Sequence, residues 1–137
     1  MTLQGPRPFS WPVRVYYEDT DLGGVVYYAN YLKFMERART AWLGSLGFTQ
    51  TGLATANGVV FVVRSISLDY LKPARLDDML EITVALADAG ASRIGLAQRV
   101  QRGAECLVTA TVDVACVQTA TFKPARIPAP IREKLGT

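Results

Sequence analysis

The sequence predicts an α+β fold: a curved antiparallel sheet of about five strands with one long helix lying across it. Two observations carry this prediction. From about Tyr28 to Leu46 apolar residues recur at spacings of three and four, and from Val59 to Gln118 they recur at spacings of two. In addition, the later breaks, which contain Gly90 and Gly103, are short enough for hairpins.

Pro12 to Asp19 alternates, with Val13, Val15 and Tyr17 on one face and Arg14, Tyr16 and Glu18 on the other, and reads as a first short strand. Asp19 to Gly24 breaks that pattern with turn residues. The next element, a helix, buries Tyr31, Phe34/Met35, Ala38, Ala41/Trp42 and Leu46, with Asn30 as the candidate N-cap and Gly47 as the stop. After a Gly-rich connection, Val59 to Tyr70 opens on the run VVFVV and ends with Ile66, Leu68 and Tyr70 on one face. Met79 to Ala87 aligns Leu80, Ile82, Val84 and Leu86, and Ser92 to Arg102 aligns Ile94, Leu96 and Val100. Glu105 to Gln118 aligns Cys106, Val108, Ala110, Val112, Val114 and Cys116. The closing PARIPAPIREKLGT, with three prolines, reads as a tail with one helical turn. One helix against one sheet makes each cover the other's apolar face. The uncovered face and the open edges of so long a sheet call for oligomerisation.

The chain of 137 residues is read as one domain, with its core over about residues 13–118 and a tail over 119–137. Its net charge of +3 is scattered, without the Lys/Arg block of a nucleic-acid arm, so nucleic acid is not an expected partner. No apolar run approaches the ~20 residues of a membrane span, so membrane insertion is not expected either. Met1 to Pro12 lacks the apolar centre of a signal peptide, and the expected location is cytoplasmic. Cys106 and Cys116 are too far apart on one extended strand for a disulfide and read as core fillers on the same side.

The chain has no histidine. A Ser-His-Asp triad, a Cys-His pair and an HExxH zinc site are therefore excluded, and two cysteines alone make a poor zinc site. Any hydrolytic chemistry falls to a carboxylate, a tyrosine, a lysine or the backbone. The densest cluster is YYEDTDLGG, with Glu18, Asp19 and Asp21 beside Gly23 and Gly24. Such acids are also what an ordinary solvated turn contains. As a calcium loop DTDLGG fails, because Gly23 falls on the third ligand position and Asn30 stands where a bidentate Glu belongs. The residues on its C-terminal side favour chemistry. Gly23 and Gly24 let a ligand approach the main chain, and a helix starting a few residues later points its free N–H groups and partial positive charge back at that space. A carboxylate at Asp21 facing those donors suits acyl transfer, as nucleophile or as general base for water.

The pattern D-x-x-G-x-V-x-Y-x-x-Y, present as Asp21, Gly24, Val26, Tyr28 and Tyr31 and running on into LKFMERAR, resembles the hotdog-fold acyl-CoA thioesterases of the 4-hydroxybenzoyl-CoA thioesterase family. With DYLKPARLDD (Asp69 to Asp78) it looks most like the bacterial branch associated with the Tol-Pal system, and the likeness covers Val13 to Gln118. The resemblance implies a sheet wrapped around the central helix, dimers or tetramers, and active sites at the subunit interface. It implies that Asp21 is the catalytic carboxylate and that the backbone N–H at Tyr28 meets the thioester oxygen. Many members of the Tol-Pal-associated branch carry histidine where this chain has Tyr28, whereas the hydroxybenzoyl-specific branch carries tyrosine, so short aliphatic and aromatic acyl-CoA are both open as substrates. Arg64, Ser65 and Lys72 are the candidate contacts for the CoA moiety, with Arg75, Arg93, Arg99 and Arg102 as further cations. No metal or redox cofactor is implied.

Two other readings stand beside the enzyme: a non-catalytic module that binds acyl-CoA or an acyl-carrier protein in the same groove, and a structural part of an envelope-associated complex. A hydratase is disfavoured, because those relatives use a histidine. Retention of Asp21 beside the Gly pair favours the enzyme, since a passive groove needs no carboxylate near a thioester.

Overall fold

The computed structural model describes residues 8–136. Five strands form one antiparallel sheet in the order β1-β3-β4-β5-β2, with β1 at Phe9–Arg14, β2 at Val59–Tyr70, β3 at Met79–Ala89, β4 at Arg93–Arg102 and β5 at Glu105–Gln118. The long helix α1, Tyr28–Ser45, buries Tyr31, Phe34, Met35 and Ala38 against one face of that sheet. A short α2 (Gln50–Asn57) and a C-terminal α3 (Ala129–Leu135) complete the fold.

Register explains which face is which. The row Phe9–Val84–Gln98–Ala110–Leu68 crosses all five strands on the helix side, and the adjacent row Ser10–Thr83–Arg99–Thr109–Asp69 crosses on the other. Strict alternation puts Leu80, Ile82, Val84, Ile94, Leu96 and Val100 into the core and leaves the second face polar. Burying each such side chain contributes about 1.5–3 kcal/mol before the entropy of ordering it is subtracted.

The boundaries of β2 and β5 and the extent of α1 match the expectation from periodicity, and four other points differ. The first strand ends at Arg14, and Tyr17–Asp19 is a 3-10 turn, because the Asp19 carboxylate accepts the Tyr16 N–H at 2.9 Å and curls the chain. Tyr17 is consequently exposed instead of facing the core with Val15. Tyr27, in extended conformation, is the N-cap of α1, and Asn30 lies inside the helix, buried. The Gly-rich connection forms α2, capped by the Thr49 hydroxyl on Gly52 N–H and closed by Gly58 at φ 67°. In β5 a bulge sets Leu107 between the partners of Val100 and Gln101, so Leu107 and Val108 are both buried and Cys106 is only half-buried, while Cys116 is in the core as expected.

The segment after Gln118 does more than trail: α3 spans two turns, and Ile127 and Ile131 join the core. The reading of Met1 to Pro12 as lacking a leader falls mostly on residues 1–7, which lie outside the described residues. Among the described residues no helix is long and apolar enough to cross a membrane.

Candidate active site

The three acids of the opening cluster end in different environments. Asp19 is saturated: Oδ2 accepts the Tyr16 N–H, and Oδ1 accepts the amide of Asn30 at 2.7 Å, tying the turn to the first turn of α1. Glu18 points to solvent. Asp21 is exposed, and its Oδ1 accepts only the Gly23 N–H at 2.8 Å, while Oδ2 makes no hydrogen bond among the described residues. Of the three, Asp21 is the acid held in place with an oxygen to spare.

The loop that presents Asp21 is a tight hairpin. Asp21 N–H donates to the Val25 carbonyl at 3.0 Å, Gly24 N–H donates to the Asp21 carbonyl at 3.0 Å, and Thr20 and Val26 form a bridge. Gly24 turns the chain at φ 77°, where a side chain would be strained. At Gly23 a Cβ would sit 3.3 Å from Asp21 Oδ1, crowding the bond that orients the carboxylate.

A strap from Lys72 to Asp78 holds this loop from the other side. Val26 N–H donates to the Ala74 carbonyl (2.9 Å), Leu76 N–H to the Gly24 carbonyl (3.1 Å), and Ala74 N–H to the Tyr31 hydroxyl (3.0 Å). Burial pushes the Tyr31 phenol above its ordinary range, keeping it a neutral acceptor there. Arg102 anchors the strap, reaching Asp78 and Glu105 at 2.7 Å each. Hydrogen bonds from Lys72, then from Arg102, hold the Glu105 carboxyl down at about 2.

Between loop and strap opens a cleft of about 390 Å³, lined by Asp21, Val25–Tyr28, Tyr31 and Tyr70–Pro73. Its floor is aromatic: Tyr28 and Tyr70 meet at a 40° tilt with centroids 4.7 Å apart, and Tyr31 meets Tyr70 at 5.7 Å. The start of α1 opens into the same cleft, and among the described residues no side chain caps it, so the leading amides of Tyr28 and Ala29 keep their donors. A carboxylate and a row of N–H donors thus share one half-apolar space, which is what a carbonyl undergoing attack requires.

Of the residues singled out in the sequence, Asp21, Gly24, Tyr28 and Lys72 come together here. Lys72 is not free, since its Nζ pairs with Glu105 at 2.6 Å. Arg64 and Ser65 lie elsewhere on the chain. Arg64 is the extra residue at a bulge in β2, 3.6 Å from Asp113, and Ser65 lines a depression with Asp88, Arg93 and Asp113. Sequence reasoning passed over Tyr70, Leu71 and Pro73 as cleft residues and over the Asp78–Arg102–Glu105 anchor. The string DYLKPARLDD carried the first group; the anchor joins Asp78 to a residue 24 positions away and left no local trace.

Comparison with known proteins agrees with this architecture. The Thioesterase-like superfamily matches residues 15–135. The acyl-CoA thioesterase YbgC of Haemophilus influenzae is 46% identical over 124 residues, covering 90% of this chain and 91% of that protein. The acyl-CoA thioester hydrolase YbgC of Escherichia coli O157:H7 is 47% identical over 121 residues, covering 88% and 90%. Among solved structures, a probable thioesterase from Bartonella henselae superposes with a TM-score of 0.84 at 36% identity, covering 89% of this chain and 100% of the other. With the same fold and this extent of sequence identity, the chain belongs to the Thioesterase-like superfamily of hotdog proteins.

Proposed function

We propose that the chain is an acyl-CoA thioesterase that uses Asp21 as its catalytic carboxylate and the first amides of α1 as its oxyanion site. The observation that carries this is the Asp21 carboxylate, oriented by one bond and otherwise unpaired, in a cleft that also holds an uncapped helix start. The identity to proteins named acyl-CoA thioesterases supports the substrate class. Asp21 takes a proton from water while the oxygen attacks the thioester carbon; charge building on the carbonyl oxygen is met by the Tyr28 and Ala29 N–H groups; the C–S bond breaks and the leaving thiolate takes that proton from Asp21. Direct attack by Asp21 gives an anhydride that water then opens, with the same products. The Tyr28 and Tyr70 rings flank the scissile group and suit a short aliphatic or an aromatic acyl chain.

On this reading the enzyme is a single-domain, cytoplasmic homodimer or homotetramer, and its opening motif and DYLKPARLDD support the Tol-Pal-associated branch. The two edges of the sheet support the dimer. Edge strand β1 contains Pro12, which blunts it, and the start of β2 is masked by Gln50, whose amide exchanges two hydrogen bonds with Phe61. The rest of β2, from Val62 to Tyr70, is interrupted by the bulge at Arg64 and has no such cover among the described residues, and on this reading it pairs with its own copy. Antiparallel self-pairing centred near Ile66 carries the partner's Arg64 and the partner's Ser65 toward the Tyr70 wall of the cleft, where they join Lys72 in holding CoA. A thioester on an acyl-carrier protein is the alternative donor.

Free-thiol release from a panel of acyl-CoA thioesters, wild type beside Asp21→Asn, tests the reading. Turnover lowered by about 10²–10⁴ in a folded Asp21→Asn protein is expected. Saturable binding without turnover in the wild type would instead establish a non-catalytic acyl-CoA module.

A further inference from the structure

Beyond the Asp21 cleft, a second cavity of about 160 Å³ lies under the C-terminal half of α1, walled by Leu43, Phe61, Ile94, Leu96 and Val114. Two charged residues, Arg39 and Glu36, line this largely apolar space. Arg39 is half-buried, and its guanidinium donates to the Gln98 side chain at 2.9 Å; no carboxylate lies within ion-pair distance of it among the described residues. Gln98, 1% exposed, is itself held by the Met35 carbonyl at 3.2 Å, so the pair is fixed from below. Glu36 also lines the cavity, but it is exposed to solvent and accepts from Thr40 at 2.6 Å. Burial pushes the Arg39 guanidinium below its ordinary range, and the pull of Glu36 is too weak to restore it. A cation with most of its five donors unused among the described residues, at the wall of a largely apolar chamber, can take a further anion there.

Within one chain this chamber is out of reach of Asp21. Arg39 is eleven residues beyond Tyr28, or about 16 Å along the helix, and Val63 is about 23 Å along β2 from Tyr70. Self-pairing of β2 changes that. With Val62 to Tyr70 antiparallel to its copy, Val63 at the mouth of the chamber falls beside the partner's Tyr70, which walls the partner's cleft. In that pairing the chamber of one subunit and the cleft of its partner would adjoin across the interface.

We propose that the Arg39 chamber of one subunit receives the far end of the acyl group attacked in its partner's cleft, and that Arg39 selects acyl chains ending in a carboxylate. The inference rests on the thioesterase reading and on the β2-paired dimer. The carboxylate takes the guanidinium donors bidentately while the chain lies against Phe61, Ile94 and Leu96.

The test compares kcat/KM for glutaryl-CoA and hexanoyl-CoA, which differ chiefly in the terminal charge. The wild type is expected to favour glutaryl-CoA. Arg39→Met is expected to lower the glutaryl-to-hexanoyl ratio by at least about tenfold, with Arg39→Lys recovering part of it. Thiol release from hexanoyl-CoA alone, or a ratio that Arg39→Met leaves within about twofold, overturns the Arg39 assignment and leaves the thioesterase standing. Should Arg39→Met not fold, the wild-type preference decides. Absence of turnover on every thioester overturns the thioesterase reading and this inference with it.

Discussion

The Asp21 loop and the strap that faces it are built from the same kinds of residue and use them in opposite ways. In the strap and its anchor the acids are tied to cations: Asp78 Oδ2 takes both Arg102 and the Arg75 N–H, and Glu105 takes Lys72 on one oxygen and Arg102 on the other. In the loop Asp21 keeps one oxygen free, two residues from an Asp19 that is fully engaged. Engagement by a cation or on both oxygens, more than residue type or exposure, thus separates scaffold acids from a reactive one. A saturated carboxylate stabilises the ionised form and the local geometry; it has nothing left for water or a carbonyl.

The sharpest way to break that contrast is to neutralise each aspartate of the loop in turn. Asp21→Asn is expected to lower kcat by about 10²–10⁴ with the melting temperature unchanged, as for loss of a general base. Asp19→Asn is expected to act mainly on the fold, because Asn30 loses a charged partner in a buried position. A loss of about 1–3 kcal/mol in urea unfolding is expected there, with kcat falling less than in Asp21→Asn. Equal rate losses in the two variants would dissolve the distinction. Gly24→Val comes next: forcing a β-branched residue to φ 77° costs about 1–3 kcal/mol and displaces Asp21, so both the unfolding midpoint and kcat should fall.

The smallest effect is expected in the strap. The Glu105 carboxyl drops from an ordinary 4.5 to about 2 in the folded chain, so its contribution is present above 4.5 and is lost as pH falls toward 2. The urea midpoint of the wild type should therefore exceed that of Glu105→Gln at about pH 6, and the gap should close on acidification. Because the group is exposed, the gap is small. A gap that persists down to about pH 2 would mean the anchor works through packing and not through charge.

Much of this was legible in the sequence because it is local. The 3.6-residue period of α1 and the two-residue period of β2 to β5 come from one apolar face each, and the motif around Asp21 is contiguous. What escaped has non-local causes. Tyr17 alternates properly with Val13 and Val15, yet the Asp19 side chain folds it out of the strand. TGLATANG, with two glycines in the connection, looks too weak for a helix, and Leu53 packed into the core fixes it as one. Asn30 looks like a cap on composition alone; the tertiary bond to Asp19 instead carries it into the helix. Gln98 interrupts an apolar alternation, and only its contact with Arg39, 59 residues away, gives the interruption a meaning.

The central claim is that the free oxygen of Asp21 and the start of α1 face the same thioester. A crystal structure of Asp21→Asn holding an uncleaved acyl-CoA tests it most directly. The thioester carbonyl oxygen is expected within about 3 Å of the Tyr28 or Ala29 N–H, with the substituted side chain beside the carbonyl carbon. A thioester lying away from the helix start, with its oxygen met by other donors, would contradict it.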